Sequence, residues 1–90
     1  MKVYVFFVEQ VDDTEVLRQD TKVFSTREKA EQEFNLFVCD ETRFITENHP
    51  TWVINDEPNK LEFEAYSNGE YAINHTNCYV IEQEVLWRER

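Results

Sequence analysis

Residues 25–47, STREKAEQEFNLFVCDETRFITE, organise the chain, because their apolar residues repeat at helical spacing over several turns. The repeating residues are Ala30, Phe34, Phe37, Val38, Phe44 and Ile45. Spacing of three to four residues is typical of a helix with one apolar face. Glu41 interrupts the stripe and is expected at its edge. Because several large aromatic side chains share this face, we predict that the helix covers a β-sheet.

Both ends of this helix have recognisable signals. Ser25 is followed three residues later by Glu28, which predicts a capping box in which each side chain bonds the other residue's backbone N–H. Glu28 also suits the positive end of the helix dipole. At the other end, Pro50 disfavours helical geometry at His49. Asn48 is then expected to adopt the left-handed conformation that ends many helices.

The stretch before the helix predicts a β-hairpin. Residues 3–8, VYVFFV, are apolar on both faces of any strand, which favours a central strand buried on both sides. Residues 16–24 alternate more weakly, and Arg18, Asp20 and Lys22 share the exposed face of that strand. Charged side chains of this kind are typical of an edge strand, where they discourage further pairing.

The stretch after the helix predicts a loop and then a three-stranded meander. Residues 51–60 are interpreted as a loop that places Trp52 on the core, either without regular structure or with a short extended piece. Asn68-Gly69 lies between two alternating segments, which is the strongest short-range hairpin signal. A second tight turn is expected at Thr76-Asn77. The whole chain, residues 1–90, is therefore predicted as one α+β domain of two layers, with one long helix on a mostly antiparallel sheet of about five strands in the order β-β-α-β-β-β.

This register divides the C-terminal strands into two faces. The face expected against the helix holds Leu61, Phe63, Ala65, Ala72, Tyr79, Ile81 and Val85. The opposite face is expected to hold Tyr66, Tyr71, Ile73, His75, Cys78 and Val80, with Glu62, Glu64, Glu82 and Glu84 around them. A single helix covers only one face, so the second face is either an interaction surface or is covered within the molecule by Trp52, Trp87 or the loop after the helix.

Charge and hydropathy exclude several partners. The 90 residues carry 19 acidic and 9 basic side chains, a formal net charge of −10. Phosphate groups require Lys and Arg, so direct binding to nucleic acid or to an anionic membrane is disfavoured. No stretch approaches the roughly 20 apolar residues of a membrane span, and the N-terminal apolar run is too short for a signal peptide. We therefore expect a cytoplasmic protein in which Cys39 and Cys78 are reduced.

The sequence contains only weak candidates for a catalytic or metal-binding site. If the turn at Thr76-Asn77 forms, Cys78 faces His75, and Glu62 lies opposite to orient the imidazole, as in Cys–His nucleophilic catalysis. No glycine-rich turn or helix N-terminus is available there to stabilise an oxyanion. The spacing of Cys39, His49, His75 and Cys78 does not match a zinc module. We predict no catalytic residues, no metal and no cofactor.

The leading functional hypothesis is a non-enzymatic interaction module that self-associates, as a homodimer, through the uncovered sheet face. Tyrosine is common at interfaces, and apolar patches rimmed by polar residues often mark them. The predicted interaction residues are Tyr66, Tyr71, Ile73, Val80, Glu62, Glu64, Glu82 and Glu84. Two alternatives remain. One is an acidic inhibitor that mimics nucleic acid in the groove of a basic protein, and the other is a small enzyme that uses Cys78, His75 and Glu62.

Overall fold

A computed structural model of the protein describes residues 1–12, 15–67 and 74–85. The elements follow one another as β1 (Lys2–Val11), β2 (Val16–Phe24), α1 (Arg27–Asn48), β3 (Val53–Glu57), a one-turn 3₁₀ helix (Pro58–Lys60), β4 (Glu62–Tyr66) and β5 (His75–Glu84). The strands form one sheet in the order β2-β1-β5-β4-β3, and every neighbouring pair is antiparallel. With α1 packed on one face of this sheet, the predicted two-layer α+β architecture is confirmed.

The core lies between α1 and the covered face of the sheet. Its buried residues are Phe6 and Val8 from β1, Phe34 and Ile45 from α1, Leu61 before β4, Phe63 and Ala65 from β4, and Cys78 from β5. The Phe37 ring meets the rings of Phe6 and Phe63 edge-on, at 6.2 and 6.4 Å between centroids. Aromatic pairs favour this edge-to-face geometry. Phe34 and Phe37 thus anchor α1 to the middle of the sheet, whereas Phe44, which was predicted on the same apolar face, is 52% exposed.

The N-terminal hairpin forms, but β1 is buried on one face only. β1 is an interior strand and β2 is an edge strand, as predicted. On β1, Phe6 and Val8 point into the core, whereas Val3, Val5 and Phe7 are half-buried on the opposite face. The prediction of a strand buried on both sides is therefore wrong. The physical reason is that α1 is the one α-helix among the described residues, and it covers a single face.

The ends of α1 differ in detail from the sequence prediction. Thr26, not Ser25, caps the helix, because its hydroxyl accepts a hydrogen bond from the Lys29 backbone N–H at 3.4 Å. Asn48 remains helical and donates from its side-chain amide to the carbonyl of Phe44. In the described part of the chain, Leu61 is the one non-glycine residue with a positive φ, 53°. None of the helices described has the combination of length and apolarity needed to cross a membrane.

The expected turn at Thr76-Asn77 does not form. Both residues lie inside β5, which pairs with β1 along its whole length, from Lys2 opposite Glu84 to Val11 opposite His75. Continuous pairing on this strand satisfies the backbone groups that a turn would leave to solvent. The fifth strand comes instead from Val53–Glu57, which was predicted as loop and pairs with β4 at the sheet edge. The Asn68-Gly69 turn lies outside the described residues.

The N-cap provides a direct test of where α1 begins. Thr26→Ala is expected to lower the free energy of unfolding by about 1 kcal/mol, because the Lys29 N–H loses its side-chain acceptor. Ser25→Ala is the matched control and is expected to cost less than about 0.5 kcal/mol. Urea unfolding followed by circular dichroism measures both changes. A larger loss for Ser25→Ala would return the capping role to Ser25.

Candidate functional site

We call the sheet surface on the side opposite α1 the open face. Its first half, on the strands β2, β1 and β5, carries an apolar band that is flanked by Thr21, Glu9 and Gln19. Val5 lies between Val23 and Ile81 in the strand register, and Phe7 pairs with Tyr79 on β5. The Phe7 and Tyr79 rings lie 5.0 Å apart between centroids. Val23 and Ile81 are 61% and 45% exposed, so a contiguous apolar band faces solvent.

The second half of the open face is acidic and lies on β4 and β3. A shallow depression of about 270 Å³ is lined by Asn55, Glu57, Glu62, Phe63, Glu64, Asn77 and Tyr79. Glu57 and Glu62 sit directly opposite each other in the strand register, an arrangement in which like charges repel. The ammonium group of Lys60 lies 3.1 Å from the Glu57 carboxylate and offsets part of this repulsion. The lining drawn from the described residues contains no Lys or Arg.

Three of the predicted interaction residues lie on the open face. Glu62 and Glu64 line the acidic depression, and Tyr66 sits opposite His75 in the strand register. The imidazole Nε2 of His75 lies 2.9 Å from the Glu64 carboxylate, which ties β5 to β4 across this face. His75, Tyr66 and the two glutamates therefore share a surface, as the sequence predicted. Tyr71 and Ile73 lie outside the described residues.

The other predicted interaction residues belong to the opposite side of the sheet. Val80 lies opposite Phe6 and packs against the core. Glu82 accepts a hydrogen bond from the Tyr4 hydroxyl at 3.4 Å, and Glu84 lies 3.3 Å from the N-terminal amino group. Without a turn at Thr76-Asn77, the alternation of β5 is reversed relative to the prediction. Placing Val80, Glu82 and Glu84 on the open face was therefore wrong.

The residues that replace them were missed for the same reason. Tyr79 and Ile81 were expected against the helix, and Val5, Phe7 and Val23 were not assigned to a site. A signal was present in the stretch VYVFFV, which is apolar on both faces. Combined with a single helix, that pattern implies that one apolar face of β1 lacks a covering layer. The strand register then identifies the residues that form this uncovered face.

Trp52 does not cover the open face. It packs against the core cluster on the helix side, where its ring stacks on the His49 ring at 4.3 Å between centroids. The segment after α1 extends the sheet as β3 rather than folding beneath it. Trp87 lies outside the described residues. Within residues 1–12, 15–67 and 74–85, the apolar band of the open face has no covering element.

The Cys–His–Glu arrangement is not formed. Cys78 is fully buried between Val8 and Phe63 in the strand register, on the helix side of the sheet. His75 contacts Glu64 on the opposite side. Burial raises the pKa of the Cys78 thiol to about 12, so this sulfur is a poor nucleophile. Cys39, by contrast, is exposed on α1.

No model of a known protein family matches the chain, and no curated protein or solved structure matches it either.

Thiol reactivity tests the position of Cys78. Titration with a chromogenic disulfide at pH 8 is expected to detect one reactive thiol per native chain, Cys39. With a pKa of about 12, roughly one Cys78 in ten thousand is ionised at this pH. Both thiols are expected to react in denaturant, and Cys39→Ser removes the native reaction. Rapid reaction of two thiols in the native protein would contradict this placement.

Proposed function

We propose that this protein is a non-enzymatic interaction module that forms a homodimer through its open face. The observation that carries the proposal is the exposed apolar band of Val5, Phe7, Val23, Tyr79 and Ile81. Burying such a band removes apolar surface from water, which is the main driving force of association. Tyrosine and phenylalanine at the centre are residue types enriched in interfaces. A second copy supplies a flat apolar surface of the same kind.

The size of the open face supports a reversible dimer rather than a permanent one. With about 40 strand residues at ~3.3 Å along each strand and ~4.8 Å between strands, the face measures roughly 600 Å². Two copies that covered each other's open face completely would bury roughly 1,200 Å², which is the lower end of specific interfaces. Two twisted sheets pack face to face at about 30°. Such packing allows the apolar halves to overlap at the two-fold axis.

Charge sets a salt dependence for this dimer. Each chain carries a formal net charge of −10, so two copies repel each other at long range. Salt screens this repulsion while leaving apolar burial intact. Self-association through the apolar half should therefore strengthen as salt rises from about 20 mM to about 300 mM. We place the module in the cytoplasm, where cysteines such as the exposed Cys39 are kept reduced.

Threonine substitutions on the open face test the dimer. Val23→Thr and Ile81→Thr keep β-branched side chains but remove apolar surface. Together they are expected to raise the dimer dissociation constant at least tenfold, because a few central interface residues carry most of the binding energy. Sedimentation equilibrium from about 1 to 200 μM measures the constant. Leu36→Gln, which removes an exposed leucine from α1 instead, is the matched control and should leave it unchanged.

The proposal fails if the wild-type chain remains monomeric at 200 μM in high salt. It also fails if Leu36→Gln weakens the dimer as much as the open-face variant does.

The acidic half of the open face supports a second candidate function, occupation of a basic groove in place of nucleic acid. The carboxylates of Glu57, Glu62 and Glu64 line one depression, although Glu57 and Glu62 repel each other. An arginine- or lysine-rich partner would relieve that repulsion. In contrast to apolar self-association, this binding weakens steeply as salt rises.

Charge-matched double variants test the second candidate. Glu62→Gln with Glu64→Gln is expected to weaken binding to a lysine-rich probe peptide several-fold at about 50 mM salt. Glu28→Gln with Glu47→Gln removes the same charge from α1 and is the control. Fluorescence anisotropy of the labelled peptide measures both. Equal losses would show that net charge alone attracts the peptide, and a salt-independent affinity would exclude mimicry.

A further inference from the structure

The helix layer is narrower than the sheet beneath it. A helix with its side chains is about 10 Å across, whereas five strands at ~4.8 Å spacing span about 20 Å. α1 packs over the middle of the sheet, and the edge strand β2 is exposed along most of its length. Two cavities of about 380 and 320 Å³ lie along this side of α1, and both are lined by Glu41. We call their combined space the helix–edge groove.

The groove has defined ends and a defined floor. At one end, the Lys22 ammonium group lies 2.6 Å from the Glu33 carboxylate and joins β2 to α1. At the other end stand the stacked rings of His49 and Trp52. Across the floor, the Gln10 side-chain amide donates to the Glu41 carboxylate at 3.1 Å. From Glu33 to Phe44 the helix rises about 16 Å, which is three turns.

The rim of the groove is unusually apolar for an exposed surface. Leu17 on β2 is 58% exposed, and Leu36 and Phe44 on α1 are 64% and 52% exposed. Each of the three lines one of the two cavities. Leu36 and Phe44 are eight residues apart, so they lie on the same stripe of α1, with Asp40 between them. The apolar rim therefore extends over at least two helical turns.

The charges of the groove favour a basic ligand. Glu33, Asp40 and Glu41 lie on the helix wall. The facing cations are Arg18 and Lys22. Arg18 lies 5.8 Å from the Phe37 ring centroid and is ion-paired with Asp20 on its own strand, and Lys22 is ion-paired with Glu33. Glu41 is half-buried, and this burial raises the pKa of its carboxyl. A lysine or arginine beside Asp40 would complement this wall.

We propose that the helix–edge groove binds an amphipathic, basic helix of a partner protein. Three turns of helix match the length of the groove, and apolar residues at i, i+4 and i+7 would contact Leu17, Leu36 and Phe44. Lysine or arginine on the flank of that helix would face Asp40. A second copy of this chain fits less well, because α1 carries six acidic and three basic side chains. The groove lies on the opposite side of the sheet from the open face, so both surfaces can be occupied together.

A designed peptide tests the proposal on the full chain. The probe is a fluorescein-labelled peptide of about 14 residues, with leucine at i, i+4, i+7 and i+11 and lysine at most other positions. Its control has the same composition in scrambled order. Leu36→Gln and Leu17→Thr are each expected to weaken binding about tenfold by fluorescence anisotropy. Val23→Thr removes an exposed apolar residue from the open face and should leave the affinity unchanged.

Two variants that each remove one negative charge distinguish binding in the groove from general electrostatic attraction. Asp40→Asn is expected to weaken binding several-fold and to reduce its salt dependence. Glu28→Gln in the first turn of α1 removes the same charge outside the groove and should have little effect. Circular dichroism and the thermal midpoint of each variant establish that it is folded. Because the peptide is titrated into the protein whatever its oligomeric state, this result does not depend on whether the open face dimerises.

Several results would overturn the proposal. The first is that the designed peptide does not bind at about 1 mM. The second is that the scrambled peptide binds as tightly as the designed one, and the third is that the open-face and groove variants lose equal affinity for the designed peptide. Changes in NMR amide chemical shifts that are confined to the outer edge of β2 would indicate that the peptide adds to the sheet as a strand instead. Loss of the dimer in Leu36→Gln would assign the groove to self-association.

Discussion

The antiparallel ladder between β1 and β5 controls which side chains reach the core and which face solvent. It joins the first strand of the chain to the last over ten residue pairs. Side chains alternate along a strand, so a shift of one residue would exchange the two faces completely. In the observed register, Phe6 and Val8 meet Val80 and Cys78 on the helix side. Phe7 meets Tyr79 on the open face. The residues of the open face and of the helix–edge groove both depend on this register.

Both proposed interaction surfaces arise from a shortage of covering layers. Among the described residues one α-helix faces five strands, so it leaves one side of the sheet uncovered and the edge strand on its own side partly uncovered. Exposed apolar side chains collect where cover is missing: Val23 and Ile81 on the open face, and Leu17, Leu36 and Phe44 along the groove. Single exposed apolar residues are ordinary, but contiguous ones define places where association removes them from water.

The excess of acidic residues gives the two surfaces different electrostatic behaviour. Association through the apolar half of the open face is driven by the burial of apolar area. Salt therefore assists it, because salt screens the repulsion between the net charges of the two chains. The acidic half and the wall of the groove attract cations, so salt weakens binding at both. Ion pairs already present, such as Lys60 with Glu57 and Lys22 with Glu33, are exposed and stabilise the monomer only slightly.

Local patterns accounted for much of the fold. Helical spacing predicted α1 to within two residues at its start and one at its end, because an apolar stripe is encoded in consecutive turns. The hairpin of β1 and β2 and the edge position of β2 followed from composition and charge. The buried side of β4 was also predicted, since Leu61, Phe63 and Ala65 alternate with polar residues.

Which side chains of β5 face the core depended on pairing with β1, a strand that is distant in the sequence. Thr76-Asn77 resembles a turn in isolation, yet pairing with β1 keeps both residues in an unbroken strand. That pairing moved Tyr79 and Ile81 to the open face and Val80 and Cys78 to the core, which removed the expected Cys–His pair. It joins residues more than sixty positions apart, so no local signal encodes it. The strand β3 depended in the same way on the free edge of β4, to which Val53–Glu57 pairs.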